Sequence, residues 1–365
     1  MVKYSILSVA KELGIRIKTP IYGNSAYCYC PFCNDNKAKL NLNLLKNTWR
    51  CNKCEESGGV TGLIEKVLGC SHKEALDWLH GSSSISGVEV YGNKNNGNTY
   101  ISETYIADIK EIDRTYRKML SMLSLNNKHL EDLKRRGLSL SAINQLGFKS
   151  VPSRKKGSEI AERLAKDGFT LKGVPGFYKT NGIWKMCDIP GYLIPFVNEK
   201  NQITGFQIRT DNPGSRNAKY MSFTSTGKPE GTQSSLKAHI IGYNGQSNVY
   251  LTEGALKADI ASFLSYKLKN KKIAFMAIPG VSNYKSMQKT VSNLKEMGVT
   301  TIYNCFDMDR EGNKNCLKNE NVERAVKVIQ TEVEKQGLIW KPISWDYEKG
   351  IDDYMLKLAK KRALV

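Results

Sequence analysis

The carboxyl-terminal third of the chain repeats one pattern of apolar and polar positions three times. In each repeat an apolar run is followed by a short turn and then by apolar residues at helical spacing. The apolar runs cover residues 248–252, 273–277 and 300–304, and the first two helical stretches cover 255–268 and 283–297. Strands that alternate with helices in this way favour a mainly parallel sheet covered by helices, and a last strand is expected at 338–344.

The middle of the chain mixes helical and strand patterns. From Tyr105 the apolar residues recur at helical spacing, and one predicted helix ends in the basic run Lys134–Gly137. Runs at 191–197 and 202–209 predict two strands joined by a polar turn. The basic run at 154–156 is expected to be a solvated loop.

Patterns near the amino terminus predict a small separate module. Alternating apolar residues at 39–44 and 47–50 predict an antiparallel hairpin. Two amphipathic helices follow, the second of which opens with a capping box of Ser71 and Glu74. Beyond residue 80 the residues Ser, Gly and Asn dominate, which indicates a flexible linker.

We therefore expect an α/β chain (α+β overall) in five segments. They are an amino-terminal module at 1–80, a linker at 81–104, a mixed basic subdomain at 105–236, a parallel-sheet subdomain at 237–346 and a carboxyl-terminal segment at 347–365.

The charge of the chain narrows the class of partner. The 365 residues carry a formal net charge of +20, and half of that excess lies in residues 105–236. A surplus of this size favours a polyanionic partner, most simply nucleic acid. No apolar run reaches the roughly 18 residues of a membrane span, and the start lacks the apolar core of a signal peptide. We therefore expect a cytoplasmic protein with no membrane partner.

The cysteines indicate a metal site. Two C-x-x-C pairs, Cys30/Cys33 and Cys51/Cys54, are separated by 17 residues. Four thiolates at this spacing can surround one Zn²⁺ ion, and the hairpin between the pairs predicts a zinc ribbon. Cys28 is an alternative to Cys30 in a longer register. Closed four-cysteine sites are usually structural, so the ion would shape the module and perform no chemistry.

Acidic residues follow the carboxyl ends of predicted strands. They are Glu253, Asp307, Asp309, Asp352 and Asp353. Because parallel strands end at one edge of a sheet, these side chains should meet in one crevice. Nothing in the local sequence except Arg310 could neutralise Asp307 and Asp309, so a divalent cation is the expected guest, Mg²⁺ or alternatively Mn²⁺. For the Asp-x-Asp pair alone, an acidic surface turn that caps a helix is the alternative.

Basic and aromatic residues interleave after the strand at 202–209. Arg209, Arg216, Lys219 and Tyr220 could hold the phosphates of a nucleic-acid strand and stack a base. Arg136 lies at a basic helix end, where capping the helix and binding phosphate are equally good explanations.

The acidic motifs resemble a known metal site. Glu253-Gly254, Asp307-x-Asp309 and Asp352-Asp353 are similar to the TOPRIM site that bacterial-type primases share with topoisomerases and some nucleases. A TOPRIM fold is a Rossmann-like parallel sheet, as the strand pattern also predicts.

Two further stretches resemble DnaG-type DNA primases in particular. The zinc ribbon followed by Gly58-Gly59 is similar to the primase zinc module. The segments Leu133–Ser139 and Ile194–Arg209, with Lys219-Tyr220, resemble the amino-terminal part of the primase polymerase domain. The resemblance covers nearly the whole chain in the family's order.

The resemblance implies roles for individual residues. It implies that Glu253, Asp307, Asp309 and Asp352 hold catalytic Mg²⁺, with Asp353 as a neighbour. It also implies that basic and aromatic residues face the template or the incoming nucleotide. The residues to which we extend this expectation are Arg136, Arg209, Arg216, Lys219, Tyr220 and Lys257.

The chain departs from the family pattern at three places. Cys33 replaces the usual histidine, which zinc tolerates. Lys257 stands four residues after Glu253, where many members have an aspartate, and Asp259 is the nearest acid. A lysine there resembles the phage and mobile-element primases. Only 12 residues follow Asp353, so we expect no helicase-binding domain of the cellular kind.

These features predict a primase that makes short RNA primers on single-stranded DNA from ribonucleoside triphosphates. Its expected partner is a replicative hexameric helicase, and the chain by itself should be a monomer. A TOPRIM nuclease and a non-catalytic, zinc-dependent replication factor are the alternatives, whereas a topoisomerase would need a strand-gate domain for which the chain has no room.

Overall fold

The computed structural model describes residues 4–33, 35–81, 105–212, 219–226, 228–234, 236–280 and 287–365. The chain divides into two compact units, Met1–Thr99 and Tyr100–Val365. Nearly all of the predicted linker lies outside the described residues. Within the described part of the chain, no helix combines the length and the apolar character needed to cross a membrane.

The amino-terminal unit is an antiparallel sheet packed against helices. In chain order its elements are α1 (Ile6–Glu12), β1 (Ile17–Tyr22), β2 (Ser25–Cys28), β3 (Leu40–Asn43), β4 (Thr48–Cys51), β5 (Ser57–Gly59), α2 (Val60–Leu68) and α3 (His72–Gly81). Each strand pairs with the next along the chain. The predicted hairpin is formed by β3 and β4, where Leu42 pairs with Trp49. Both side chains are buried in one core with Ile6 and Leu63.

The first part of the carboxyl-terminal unit joins helices to a second antiparallel sheet. Its elements are α4 (Ile109–Ser121), α5 (Asn127–Arg135), α6 (Leu140–Leu146), β6 (Lys149–Ser150), α7 (Arg154–Lys166), β7 (Phe177–Thr180), β8 (Ile183–Met186), β9 (Gly191–Val197), β10 (Ile203–Thr210) and β11 (Tyr220–Ser222). The sheet has the order β11-β10-β9-β6, and β7 and β8 form a separate hairpin. The strands β9 and β10 are the two that the sequence predicts.

The prediction for the basic run at 154–156 is wrong. The run forms the first turn of α7, where the Ser153 side chain accepts a hydrogen bond from the Lys156 amide. Further along the same helix, Ile160 and Leu164 are buried in the core. The cap and the apolar spacing decide the local structure, and the charge of the first turn does not prevent it.

The second part of the carboxyl-terminal unit is a mainly parallel sheet. Its elements are β12 (His239–Ile241), β13 (Asn248–Glu253), α8 (Ala255–Lys269), β14 (Phe275–Ile278), α9 (Met287–Glu296), β15 (Thr301–Asn304), α10 (Glu320–Lys335), β16 (Ile339–Pro342) and α11 (Ile351–Lys361). The order is β12-β14-β13-β15-β16. The strands β13 to β16 run parallel and β12 runs antiparallel to β14, so the predicted parallel sheet is confirmed.

The chain does not enter a helix directly after the Asp-x-Asp pair. A short 3₁₀ turn, Met308–Arg310, follows Asp307, and α10 begins only at Glu320. The strands β13 and β15 are neighbours in the sheet. Their carboxyl ends therefore bring Glu253 and the Asp307 turn to one sheet edge.

Candidate active site

Four cysteine thiols converge in the amino-terminal unit. The Sγ atoms of Cys30, Cys33, Cys51 and Cys54 all lie within 4.8 Å of one another. Cys30 Sγ lies 3.8 Å from Cys54 Sγ, and Cys33 Sγ lies 3.7 Å from Cys51 Sγ. A tetrahedron with Zn–S bonds of about 2.3 Å has edges of about 3.8 Å, so this geometry fits one Zn²⁺ ion.

Backbone amides point at the thiols from inside each C-x-x-C turn. The Phe32 amide donates to Cys30 Sγ over 3.4 Å, and the Lys53 amide donates to Cys51 Sγ over 3.3 Å. Such donors stabilise thiolate charge, as metal ligation requires. The alternative ligand Cys28 is buried in β2 and lies outside the group of four.

A buried carboxylate organises the loop after the first cysteine pair. Asp35 accepts hydrogen bonds from the amides of Cys30, Lys37 and Lys39. Asp35 could not be predicted from the sequence, because an acidic residue in a polar loop carries no signal of burial.

The acidic residues are positioned by the ends of β13 and β15 and by the start of α11. Gly254, with φ of 79°, turns the chain from Glu253 into α8. Asp307 precedes the 3₁₀ turn that contains Asp309, and Asp352 lies in the first turn of α11. The side chains of Asp307, Asp309 and Asp352 are buried, whereas Glu253 is half-buried.

Two lysines contact these carboxylates. Lys257 Nζ lies 2.5 Å from Asp307 Oδ1, and Lys349 Nζ lies 2.7 Å from Asp309 Oδ2. From the sequence, Lys257 was expected among the nucleotide-binding residues, and Lys349 was not predicted to take part in the site. Lys349 lies close to Asp352 in the sequence, and this proximity was the available signal for a role in the site. The pairing of Lys349 with Asp309, however, depends on the fold.

Arg310 does not neutralise the acids by direct contact, contrary to expectation. Its guanidinium is buried and donates to the carbonyl oxygens of Phe306 and Ile343, and it lies 5.5 Å from the centre of the Trp345 ring. Burial lowers the pKa of Arg310. Arg310 therefore stabilises the turn through hydrogen bonds to backbone carbonyls.

The loop before α11 is tied to the Asp-x-Asp turn. The Met308 amide donates to the Lys349 carbonyl over 2.9 Å, and the Asn313 side chain donates to the carbonyls of Trp345 and Glu348. These bonds hold Asp352 beside the turn.

Burial, together with neighbouring charges, shifts the pKa values of this cluster. Burial raises the pKa of Glu253, and it raises the pKa of Asp352 to about 6; Asp307 adds to both shifts and Lys257 opposes them. Burial would lower the pKa of Lys257, but the attraction of Asp307, Asp352 and Glu253 raises it. A divalent cation would relieve the remaining repulsion.

Two carboxylate oxygens in this cluster lack a partner. Within the described residues, Asp309 Oδ1 and Asp352 Oδ1 are buried and accept no hydrogen bond. A buried oxygen normally has a partner, and hard oxygen donors are the ligands of Mg²⁺. The acidic residues therefore fit such an ion, although their oxygens are not gathered as tightly as the four thiols.

The two other acids considered from the sequence lie elsewhere. Asp353 is exposed on α11. Asp259 is buried under the sheet, where its Oδ1 lies 3.0 Å from His239 Nε2. His239 Nδ1 in turn accepts from the Val197 amide of β9, so Asp259 helps to join the two sheets.

A basic cluster is assembled around Asp132 in the same unit. The Asp132 carboxylate contacts Arg135, Arg136 and Arg209 and accepts a hydrogen bond from the Tyr192 hydroxyl over 3.0 Å. The sequence places Arg136 and Arg209 far apart, and Asp132 is the residue that brings them together. Its role was not predicted, because an acid within a basic helix looks like a surface ion pair.

The remaining predicted nucleic-acid residues differ in what is known of them. Arg209 Nη1 donates to the Tyr220 hydroxyl over 3.0 Å. Tyr220 is exposed, and so is Lys219, which precedes it in the chain. Arg216 lies outside the described residues.

Comparison with known proteins gives a consistent answer. Residues 240–362 match a family model described as a domain of unknown function, DUF3854. A DNA primase of Thermotoga maritima is 26% identical over 158 residues, which cover 41% of this chain and 27% of the relative. A DNA primase of Chlamydia muridarum is 22% identical over 322 residues, which cover 87% of this chain and 51% of the relative. The chain is similar in sequence to these two DNA primases.

A solved primase structure has the same fold. The zinc-binding and RNA polymerase domains of the Aquifex aeolicus primase match 99% of this chain and 82% of the solved one, with a TM-score of 0.52 and 15% identity. The fold class expected from the sequence, an α/β primase fold with an amino-terminal zinc ribbon, is confirmed. The chain spans about half or less of the length of the two curated primases that it matches.

Proposed function

We propose that this chain is a DNA primase that makes short RNA primers on single-stranded DNA by magnesium-dependent nucleotidyl transfer. One observation carries the proposal: Asp309 and Asp352 each present a buried oxygen without a partner, in an acidic cluster at the carboxyl edge of a parallel sheet. The relationship to DNA primases indicates which reaction a cation at this edge would serve.

We assign the cation to Glu253, Asp307, Asp309 and Asp352. When bound, Mg²⁺ would lower the pKa of an attacking hydroxyl and offset the charge of the pyrophosphate leaving group. The contribution of the chain is positioning, because strand ends and a helix start hold these carboxylates in fixed directions. Asp353 remains a proposed neighbour of the site on the basis of sequence alone.

We assign the binding of template or nucleotide phosphates to the cluster around Asp132. Arg136 and Arg209 are held in place before any ligand arrives, so binding would cost little side-chain entropy. Tyr220 offers an exposed ring and Lys219 an exposed charge beside it. Arg216 joins this assignment from the sequence alone.

The wider assignment includes substrates and partners. We propose ribonucleoside triphosphates as substrates, a replicative helicase as a partner and a monomeric chain. The zinc ribbon at 1–80 would contact the template, the linker at 81–104 would connect it to the polymerase core, and the core would comprise segments 105–236, 237–346 and 347–365.

The test is a priming assay with the full, zinc-loaded chain. Defined single-stranded templates of varied sequence are incubated with labelled ribonucleoside triphosphates and Mg²⁺, with and without helicase. We expect oligoribonucleotides whose sequence follows the template. Cleavage of DNA without nucleotide addition would replace the proposal by a nuclease, and DNA binding without synthesis on any template would replace it by a binding factor.

A further inference from the structure

We propose that Lys257 is a built-in cation that takes the place of a second divalent ion, so that the acidic cluster binds a single Mg²⁺. The proposal deepens the function given above and rests on it only for the identity of the metal. It is carried by the contacts, the burial and the charge balance of the cluster.

Lys257 lies inside the acidic cluster. It belongs to the first turn of α8, and its Nζ lies 2.5 Å from Asp307 Oδ1. Only 25% of its side chain is exposed. Lys349 contacts Asp309 but is 56% exposed. Lys257 is therefore a fixed part of the site, whereas Lys349 lies at its rim.

The net charge of the cluster matches the charge of one divalent ion. Glu253, Asp307, Asp309 and Asp352 carry four negative charges when ionised, and the two lysines return two positive charges. The remainder equals the charge of one Mg²⁺. With an acidic residue in place of Lys257, the same cluster would need a second ion to reach balance.

The free oxygens agree with this count. Lys257 occupies Asp307 Oδ1 and Lys349 occupies Asp309 Oδ2. Among the carboxylate oxygens of this cluster, Asp309 Oδ1 and Asp352 Oδ1 are buried and have no partner within the described residues. A single ion bound through these two carboxylates, with water molecules completing its shell, would satisfy both, since Mg²⁺ commonly binds through one or two carboxylates.

The experiment counts Mn²⁺ ions bound to the zinc-loaded full chain, without nucleotide, by electron paramagnetic resonance. Mn²⁺ prefers oxygen ligands and leaves the thiolate site to zinc. We expect one ion on the wild type, one on the control Lys269→Met from the exposed end of α8, none on Asp309→Asn and two on Lys257→Asp. Any other count on the wild type or on a folded Lys257→Asp overturns the proposal.

A second variant keeps the test decisive if Lys257→Asp fails to fold. Removing a like charge next to the ion should tighten binding, so Lys257→Met is expected to bind the first Mn²⁺ about tenfold more tightly than the wild type. An affinity equal to that of Lys269→Met overturns the proposal. Because primer synthesis is not measured, a chain with the expected counts that makes no primers keeps this inference and loses the proposed function.

Discussion

At the scale of single residues, Asp132 has the largest unpredicted role. It joins Arg136 at the end of α5 to Arg209 on β10, two residues to which we assign the binding of nucleic-acid phosphates. A carboxylate that receives charge-assisted hydrogen bonds from several arginines holds them more firmly than solvent would.

We predict that Asp132→Asn weakens template binding. Loss of one charge-assisted contact is worth about 1.5 kcal/mol or more, so the KM for template should rise about tenfold with a smaller change in kcat. Asp188→Asn is the matched control, because Asp188 pairs with the exposed Arg154. Equal KM values for the two variants would remove Asp132 from this role.

The same residue gives a pH dependence of stability. Partial burial would raise the pKa of Asp132, but Arg135, Arg136 and Arg209 more than offset this, so the pKa lies below its usual range. Its contribution to stability is therefore present above the unfolded-state pKa of about 3.9 and is lost as the pH falls through the lower, folded-state value. Thermal melts should show Asp132→Asn less stable than the wild type at pH 7, and the difference should shrink as the pH falls below about 3.9.

At the scale of elements, the start of α11 decides how closely Asp352 approaches the Asp-x-Asp turn. A Cβ atom on Gly350 would lie 2.4 Å from Asp352 Oδ1 and 3.5 Å from Asp307 Oδ1. The backbone of Gly350, with φ of −100° and ψ of 155°, is open to any residue. Any side chain at this position would therefore have to displace the Asp352 carboxylate, whereas the backbone conformation itself makes no demand for glycine.

We predict that Gly350→Ala lowers the affinity for Mn²⁺ by about tenfold while the melting temperature changes little. The added methyl group must displace Asp352, which then presents its oxygen in a different direction. Gly62→Ala is the control, because a Cβ there meets no atom within 4 Å. Titration with Mn²⁺ measures the effect, and an unchanged affinity would show that the Asp352 position is not critical.

The elements also show where prediction from sequence ends. The strands β13, β14 and β15 were predictable because their apolar runs are bounded by turns. The helical form of 154–156 was not, because the Ser153 cap and the packing of α7 outweigh local charge, and the start of α10 at Glu320 was not marked by the sequence. Similarly, the acids could be placed at one sheet edge from strand order, whereas the lysine contacts of Asp307 and Asp309 require the three-dimensional arrangement.

At the scale of the whole molecule, the two units differ in what can stabilise them. The amino-terminal unit has an apolar core and also gathers four thiols within 4.8 Å, a geometry that fits a structural metal ion. The carboxyl-terminal unit has extensive apolar cores of its own.

We predict that removal of zinc unfolds the first unit and leaves the second folded. Chelation, or Cys33→Ser, should abolish amide protection at Leu42 in β3 in hydrogen exchange while protection at Leu251 in β13 persists. Cys28→Ala should retain one zinc ion per chain. Loss of zinc from Cys28→Ala with retention by Cys30→Ala would reverse the assignment of ligands.

We propose above all that the buried acids of the carboxyl-terminal unit support template-directed synthesis. The direct measurement compares primer synthesis by the wild type, Asp309→Asn and the control Glu334→Gln, on the exposed side of α10, under identical Mg²⁺ concentrations. Because a bound cation supplies several kcal/mol, we expect Asp309→Asn to be slower by at least about a hundredfold and Glu334→Gln to stay within about threefold of the wild type. Synthesis by Asp309→Asn at the wild-type rate would contradict the account.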